Sequence, residues 1–175
     1  MDATDRDAPL RSHLLELLDA GAAHLDFDSA IAGLDPRLRG ARPAGLPYSP
    51  WQLLEHLRIC QRDILDFGRS ADHPKLDWPA DYWPETPEPP DDLAWDRSVA
   101  DVRRDAQAMR DLVADPTTDL LAPLPWGSGQ SIAREAMLLA DHNAYHLGQL
   151  VVVRRLLGAW DDAPNPAGDQ AEGDG

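Results

Sequence analysis

Apolar side chains recur along this chain in alternating steps of four and three, the spacing that gathers them on one stripe of an α-helix. The longest such stretch, residues 131–158, places Ile132, Ala136, Leu139, Asn143, His146, Leu150, Val153 and Leu157 on one seam. Ser131 has the chemistry of an N-cap, and Gly158 that of the left-handed residue that stops a helix. Residues 50–67 repeat the pattern with Leu53, Leu57, Cys60, Ile64 and Phe67 behind a Ser49-Pro50 start signal. A third seam, Trp95, Val99, Val102, Ala106, Met109 and Val113, runs through residues 93–115, with Asp91 or Asp92 as cap and Pro116 beyond the end. Residues 10–34 read as a first helix after a short polar leader, with Leu10, Leu14, Leu17, Leu18, Gly21 and Leu25 as its apolar face. No stretch alternates with the period of two that a half-buried strand needs. The pattern predicts an all-α protein, a four-helix bundle whose linkers are long enough for crossover connections.

Two of those linkers are rich in proline. DPRLRGARPAGLPYSP, which precedes residues 50–67, cannot continue a regular helix. Residues 69–92 contain LDWPADYWPETPEPPDD, an irregular segment whose Trp78, Trp83 and Tyr82 are expected to be drawn out of water. Such a loop serves either as a lid or as a cover on the bundle's end.

Length and charge bound the function. One domain is expected over residues 1–160, with residues 161–175 as a disordered acidic tail carrying five carboxylates and no basic side chain. The single cysteine excludes an intrachain disulfide. MDATDRDAPLRSH lacks the apolar region of a signal peptide, and no apolar run is long enough to span a bilayer, so a cytoplasmic location is expected. The formal net charge is −15, from 31 acidic and 16 basic side chains. Nucleic-acid binding depends on neutralising phosphates, so this balance opposes it, and it opposes anionic membrane surfaces for the same reason.

Candidate chemistry lies in the histidines. His142 and His146 are four apart, hence about 40° apart around a helix axis, on or beside the seam. Taken alone, such a pair fits core histidines with one hydrogen bond each. His56, which flanks the seam of residues 50–67, changes that reading. Three neutral imidazoles converging in a small core are costly to bury, whereas around a divalent cation they are natural ligands that leave one position open. Cys60, four residues after His56, reads as a small apolar core residue. Glu55 and Asp141 neighbour His56 and His142 in sequence, but adjacent helix positions do not face each other. A di-iron site would need Glu three residues before a histidine, where Leu53, Leu139 and Asn143 stand. WGSGQS lacks the lysine of a P-loop. His13, His24 and His73 read as surface residues, and Gly148, in mid-helix, as a point of close approach by another helix.

WQLLEHL around His56, YWPETPEPP followed by Trp95, and DHNAYHLGQLVVVRRLLGAW around His142 and His146 together resemble the DinB/YfiT-like superfamily, specifically its DinB-like domain proteins. The last segment is the most specific, combining the histidine pair with Tyr145, Gly148 and Gln149. The resemblance implies a four-helix bundle with crossover connections, a divalent metal (zinc or nickel) held by His56, His142 and His146, and a homodimer. Some relatives act with low-molecular-weight thiols, as mycothiol-dependent isomerases or bacillithiol S-transferases. It therefore implies a metal-dependent enzyme of the thiol S-transferase type acting on a small molecule, or else a non-enzymatic, stress-related metal-binding or scaffold protein.

Overall fold

All regular structure among the described residues, 3–19 and 23–160 of this computed structural model, is helical. The helices are α1 (Ala3–Leu18), α2 (Phe27–Ile31), α3 (Pro50–Arg69), α4 (Ala94–Ala114) and α5 (Ile132–Leu156), with short 3₁₀ turns at Pro36–Leu38 and Ala80–Tyr82. The four long ones, α1, α3, α4 and α5, form the expected bundle. Residues 161–175, expected as a disordered tail, lie outside the described residues, as does Gly21 of the first apolar face.

Local chemistry fixes the two helices that matter most. The Ser49 hydroxyl accepts the Gln52 N–H while the Gln52 side chain accepts the Ser49 N–H, a reciprocal cap that satisfies two open donors at the start of α3. Pro50 then fills the first helical position, where no N–H is needed. At α5 the Ser131 hydroxyl accepts the Arg134 N–H, and Gly158, at φ +66°, follows the last turn. Ile132, Ala136, Leu139, Leu150 and Val153 on the predicted seam are all buried.

Contacts between helices set their directions. Arg11 of α1 donates to the carbonyls of Val113, Asp115 and Thr118, at the end of α4. Gly68, at the end of α3, faces Ile132, at the start of α5. Arg62 of α3 pairs with Asp105 of α4, and Arg69 donates to the Ala108 carbonyl, so α3 and α4 run the same way. The chain must therefore return along the whole of α3 before α4 can begin, a distance of about 30 Å. The segment between them does this as a strap. His73 sits edge-on to Phe67, the Tyr82 hydroxyl donates to Asp63, Trp83 lies on His56, and the Pro87 carbonyl accepts from Ser49.

The apolar core comes in two clusters. One gathers Leu53, Leu54, Leu57, Val99, Val102, Leu147, Leu150 and Val153 with residues of α2; the other gathers Leu14, Ile64, Leu65, Met109, Val113, Ile132, Ala136 and Leu139. Between them along α3, α4 and α5 lies a polar belt. Asn143 donates to the Gln61 side chain at 2.8 Å, and Gln61, fully buried, donates to the Val102 carbonyl at 2.6 Å. Those bonds spare the Gln61 amide the roughly 1–3 kcal/mol that each buried, unsatisfied polar group would cost, while Asn143 Oδ1 is buried with no partner among the described residues.

Two expectations need correcting. The helix predicted over residues 10–34 is two helices, because Asp26 adopts an extended conformation and accepts the Ser29 N–H, which starts α2 afresh. The new start turns Ala30 and Ile31 into the core, while Leu17 of the predicted apolar face is 49% exposed. Trp78, expected to be covered, is 71% exposed, whereas Trp83 is drawn in. Tyr82 is tied by its hydroxyl, so only part of that segment's aromatic surface leaves water.

Candidate metal centre

His56 sits on α3 one turn after Leu53, and His142 and His146 sit one turn apart on α5, where the two helices pass in opposite directions. The three imidazoles meet. His56 Nε2 stands 3.1 Å from His146 Nε2 and 3.2 Å from His142 Nε2. His56 and His146 are buried, and His142 is half-buried.

The other ring nitrogens fix the protons. The Tyr82 carbonyl, 2.7 Å from His56 Nδ1, can only accept, so Nδ1 carries the hydrogen and Nε2 a lone pair. Gln149 Oε1, 2.7 Å from His146 Nδ1, imposes the same tautomer there. Two lone pairs thus point at each other across 3.1 Å, which is repulsive unless a positive charge stands between them. A shared proton is disfavoured at neutral pH. Burial lowers the pKa of His56, and burial with the neighbouring rings brings those of His142 and His146 to about 4.

A divalent cation fits the arrangement. Nitrogens held about 2.0–2.1 Å from one ion at octahedral to tetrahedral angles lie about 2.9–3.4 Å apart, which spans both measured separations. His56 and His146 already have the outer hydrogen bonds that orient metal-binding imidazoles. His142 does not: its Nδ1 is buried without a partner among the described residues.

Cys60, read from sequence as core, joins this neighbourhood. His56, Cys60 and His142 offer donor atoms that all lie within 4.8 Å of one another, a group able to hold a divalent ion. The sulfur lies 3.5 Å from His56 Nδ1 and 3.7 Å from Nε2. Such nearly equal distances place it beside the ring, in line with neither the Nδ1–H nor the Nε2 lone pair. Burial also pushes its thiol up to about 12. The four-residue spacing from His56 was the available signal for this proximity.

An aromatic stack covers one side of the site. Trp83 lies flat on His56, with centroids 3.8 Å apart and planes 4° apart, and Tyr48 lies flat on Trp83 at 4.3 Å. Tyr145 meets His146 edge-on at 4.9 Å. Nothing in the local sequence around Trp83 or Tyr82 announced these contacts, because both come from the irregular strap. Glu55, as expected, is occupied elsewhere, with Arg58 and the Ser98 hydroxyl. His13 and His24 are exposed and stay out of the site. His73 is half-buried against Phe67, so it is less solvated than its polar neighbours suggested.

The sequence model of the DinB superfamily matches residues 21–150, a span that contains all three histidines and Cys60. No curated protein and no solved structure matches the chain. No described helix is long and apolar enough to cross a membrane.

Proposed function

The chain belongs to the DinB superfamily, and from that membership and its facing imidazoles we propose that it is a divalent-metal-dependent enzyme of the thiol S-transferase type acting on a small molecule. The supporting observation is the convergence of three uncharged Nε2 atoms at 3.1 and 3.2 Å. His56, His142 and His146 are the proposed ligands, and zinc or nickel the proposed ion. Three imidazoles would also suit copper or iron.

When bound, such an ion supplies Lewis acidity and lowers the pKa of a thiol held beside it, so that thiolate is available near neutral pH. The chain's own groups do the rest. Tyr82 and Gln149 hold two rings in the tautomer that keeps Nε2 free. Trp83 excludes water from one face of His56. His142 is the least buried of the three rings. A cytoplasmic location and a homodimer belong to the same proposal.

A non-enzymatic metal-binding role is the rival reading, favoured by the cover that Trp83 and Tyr48 lay over the site. The two separate by elemental analysis of purified protein followed by incubation with a low-molecular-weight thiol and 1-chloro-2,4-dinitrobenzene. The enzyme reading expects about one ion per chain and conjugation that stops when a chelator removes the ion. Bound ion without thiol consumption across a panel of electrophiles supports the rival. Protein that takes up no divalent ion refutes both.

A further inference from the structure

Gly148 lies in the middle of α5, where glycine costs about 1 kcal/mol relative to alanine. Close approach by another helix would explain it, but a Cβ at this position would meet no heavy atom within 4 Å. The residue opens instead onto a groove of about 540 Å³, a volume within the range of small-molecule pockets. Leu46, Pro47 and Tyr48, ahead of α3, line it together with Leu53 of α3 and Val152 and Val153 of α5. No lining residue is charged, on a chain in which 27% of residues are charged and the formal net charge is −15. Tyr145 and Val152 stay 65% and 50% exposed along it, so apolar surface is held open to solvent there.

No histidine lines the groove, but three of its walls also touch the residues around the imidazoles. Gln149 lines it and also accepts from His146 Nδ1. Tyr48 lines it and stacks on the Trp83 ring that in turn stacks on His56. Tyr145 reaches it from the edge of His146.

We propose that this groove is the substrate pocket of the centre, that it takes an uncharged small molecule with a flat apolar body, and that Gly148 is the gap that admits it. The role as a substrate pocket rests on the metal-centre reading above; the binding itself needs no ion. A charged ligand would lose hydration without gaining a counter-charge from these walls, whereas a ring buried here gains about 25 cal/mol per Å² of apolar surface.

Two probes that share one ring system test the claim on the purified full chain. N-phenyl-1-naphthylamine is neutral, and 8-anilino-1-naphthalenesulfonate is its anionic counterpart. Fluorescence titration is expected to show saturable binding of the neutral probe and at least about tenfold weaker binding of the anion. Gly148→Leu fills the gap with a better helix former, so it is expected to weaken the neutral probe by about tenfold or more while metal content is unchanged and the melting temperature is equal or higher. Val152→Glu, at a half-exposed position, is a second variant expected to weaken it likewise. Equal binding of both probes, or wild-type binding by both variants, overturns the proposal. So does a dimer in sedimentation that Gly148→Leu dissociates, since the groove would then be the seat of a second copy. His142→Ala separates the two claims: it is expected to lose the ion and keep the probe. A wild-type protein that binds no ion but retains this probe pattern defeats the metal reading and leaves the groove standing.

Discussion

Replacing His142 by alanine is expected to remove the bound ion and leave the bundle folded. The ring's Nε2 faces His56, and its Nδ1 is buried with no partner among the described residues. Truncation therefore removes a half-buried ring, at a cost of about 1–2 kcal/mol by area, and also removes a buried ring nitrogen whose lack of a partner already costs about 1–3 kcal/mol. The two effects oppose each other, so the net change is about 2 kcal/mol at most, or about 4–8 °C in melting temperature for a chain of this size. Both apolar clusters stay complete, because His142 belongs to neither. Metal affinity responds differently. Loss of an outer partner typically costs 10–100-fold, and loss of a ligand exceeds about 100-fold. Thermal melting by circular dichroism, run beside elemental analysis and competition with a chromogenic chelator, measures both quantities. A variant unfolded at room temperature, or one that keeps wild-type metal content, refutes the reasoning.

Three further outcomes follow from the same geometry. Gln149→Leu deprives His146 Nδ1 of its acceptor and is expected to lower metal affinity by about 10–100-fold with little effect on melting; unchanged affinity in a chelator competition would show that the ring is held in other ways. Cys60→Ala is expected to keep full metal content, because the sulfur lies beside the His56 ring and its thiol is pushed up to about 12; wild-type Cys60 should accordingly resist iodoacetamide until the chain is denatured, and fast labelling of native protein would contradict this. Acid should destabilise the metal-free protein, because His142 and His146 titrate near 4 in the fold against an ordinary 6.5. The unfolded chain then binds more protons between those values, so stability is full above about 6.5 and falls as the pH drops towards 4. Urea midpoints measured across that window in the presence of a chelator check the sign, and a flat profile refutes it.

The bundle was legible in the sequence because its seams are local and periodic: Leu53 to Phe67 and Ile132 to Val153 needed only helical spacing to be read. The histidines were legible for the same reason, since His56, His142 and His146 each sit on or beside a seam. What escaped reading depends on where the chain returns in space. Trp83 and Tyr82 reach His56 from a proline-rich strap with no period of its own, and Trp78, a few residues away, remains in water. The split of the first predicted helix had a local signal, Asp26 three residues before Ser29, which the surrounding run of small and apolar residues masked. Gly148 carried the right question and the wrong answer. A mid-helix glycine does mark a special place, but sequence alone does not distinguish a neighbouring backbone from an open groove.

The polar belt has a consequence for how the helices index against one another. Seams of Leu, Ile and Val repeat every turn, so apolar packing alone allows neighbouring helices to shift by one turn, about 5.4 Å, at modest cost. The Asn143–Gln61–Val102 chain does not repeat. After such a shift the fully buried Gln61 amide would face aliphatic side chains and lose both partners, at about 1–3 kcal/mol for each group left unpaired. The belt therefore works as a detent that sets the axial register of α3, α4 and α5. Asn143 directly follows His142, and Gln61 lies five residues beyond His56, so the detent that aligns the helices also sets the level at which the imidazoles meet.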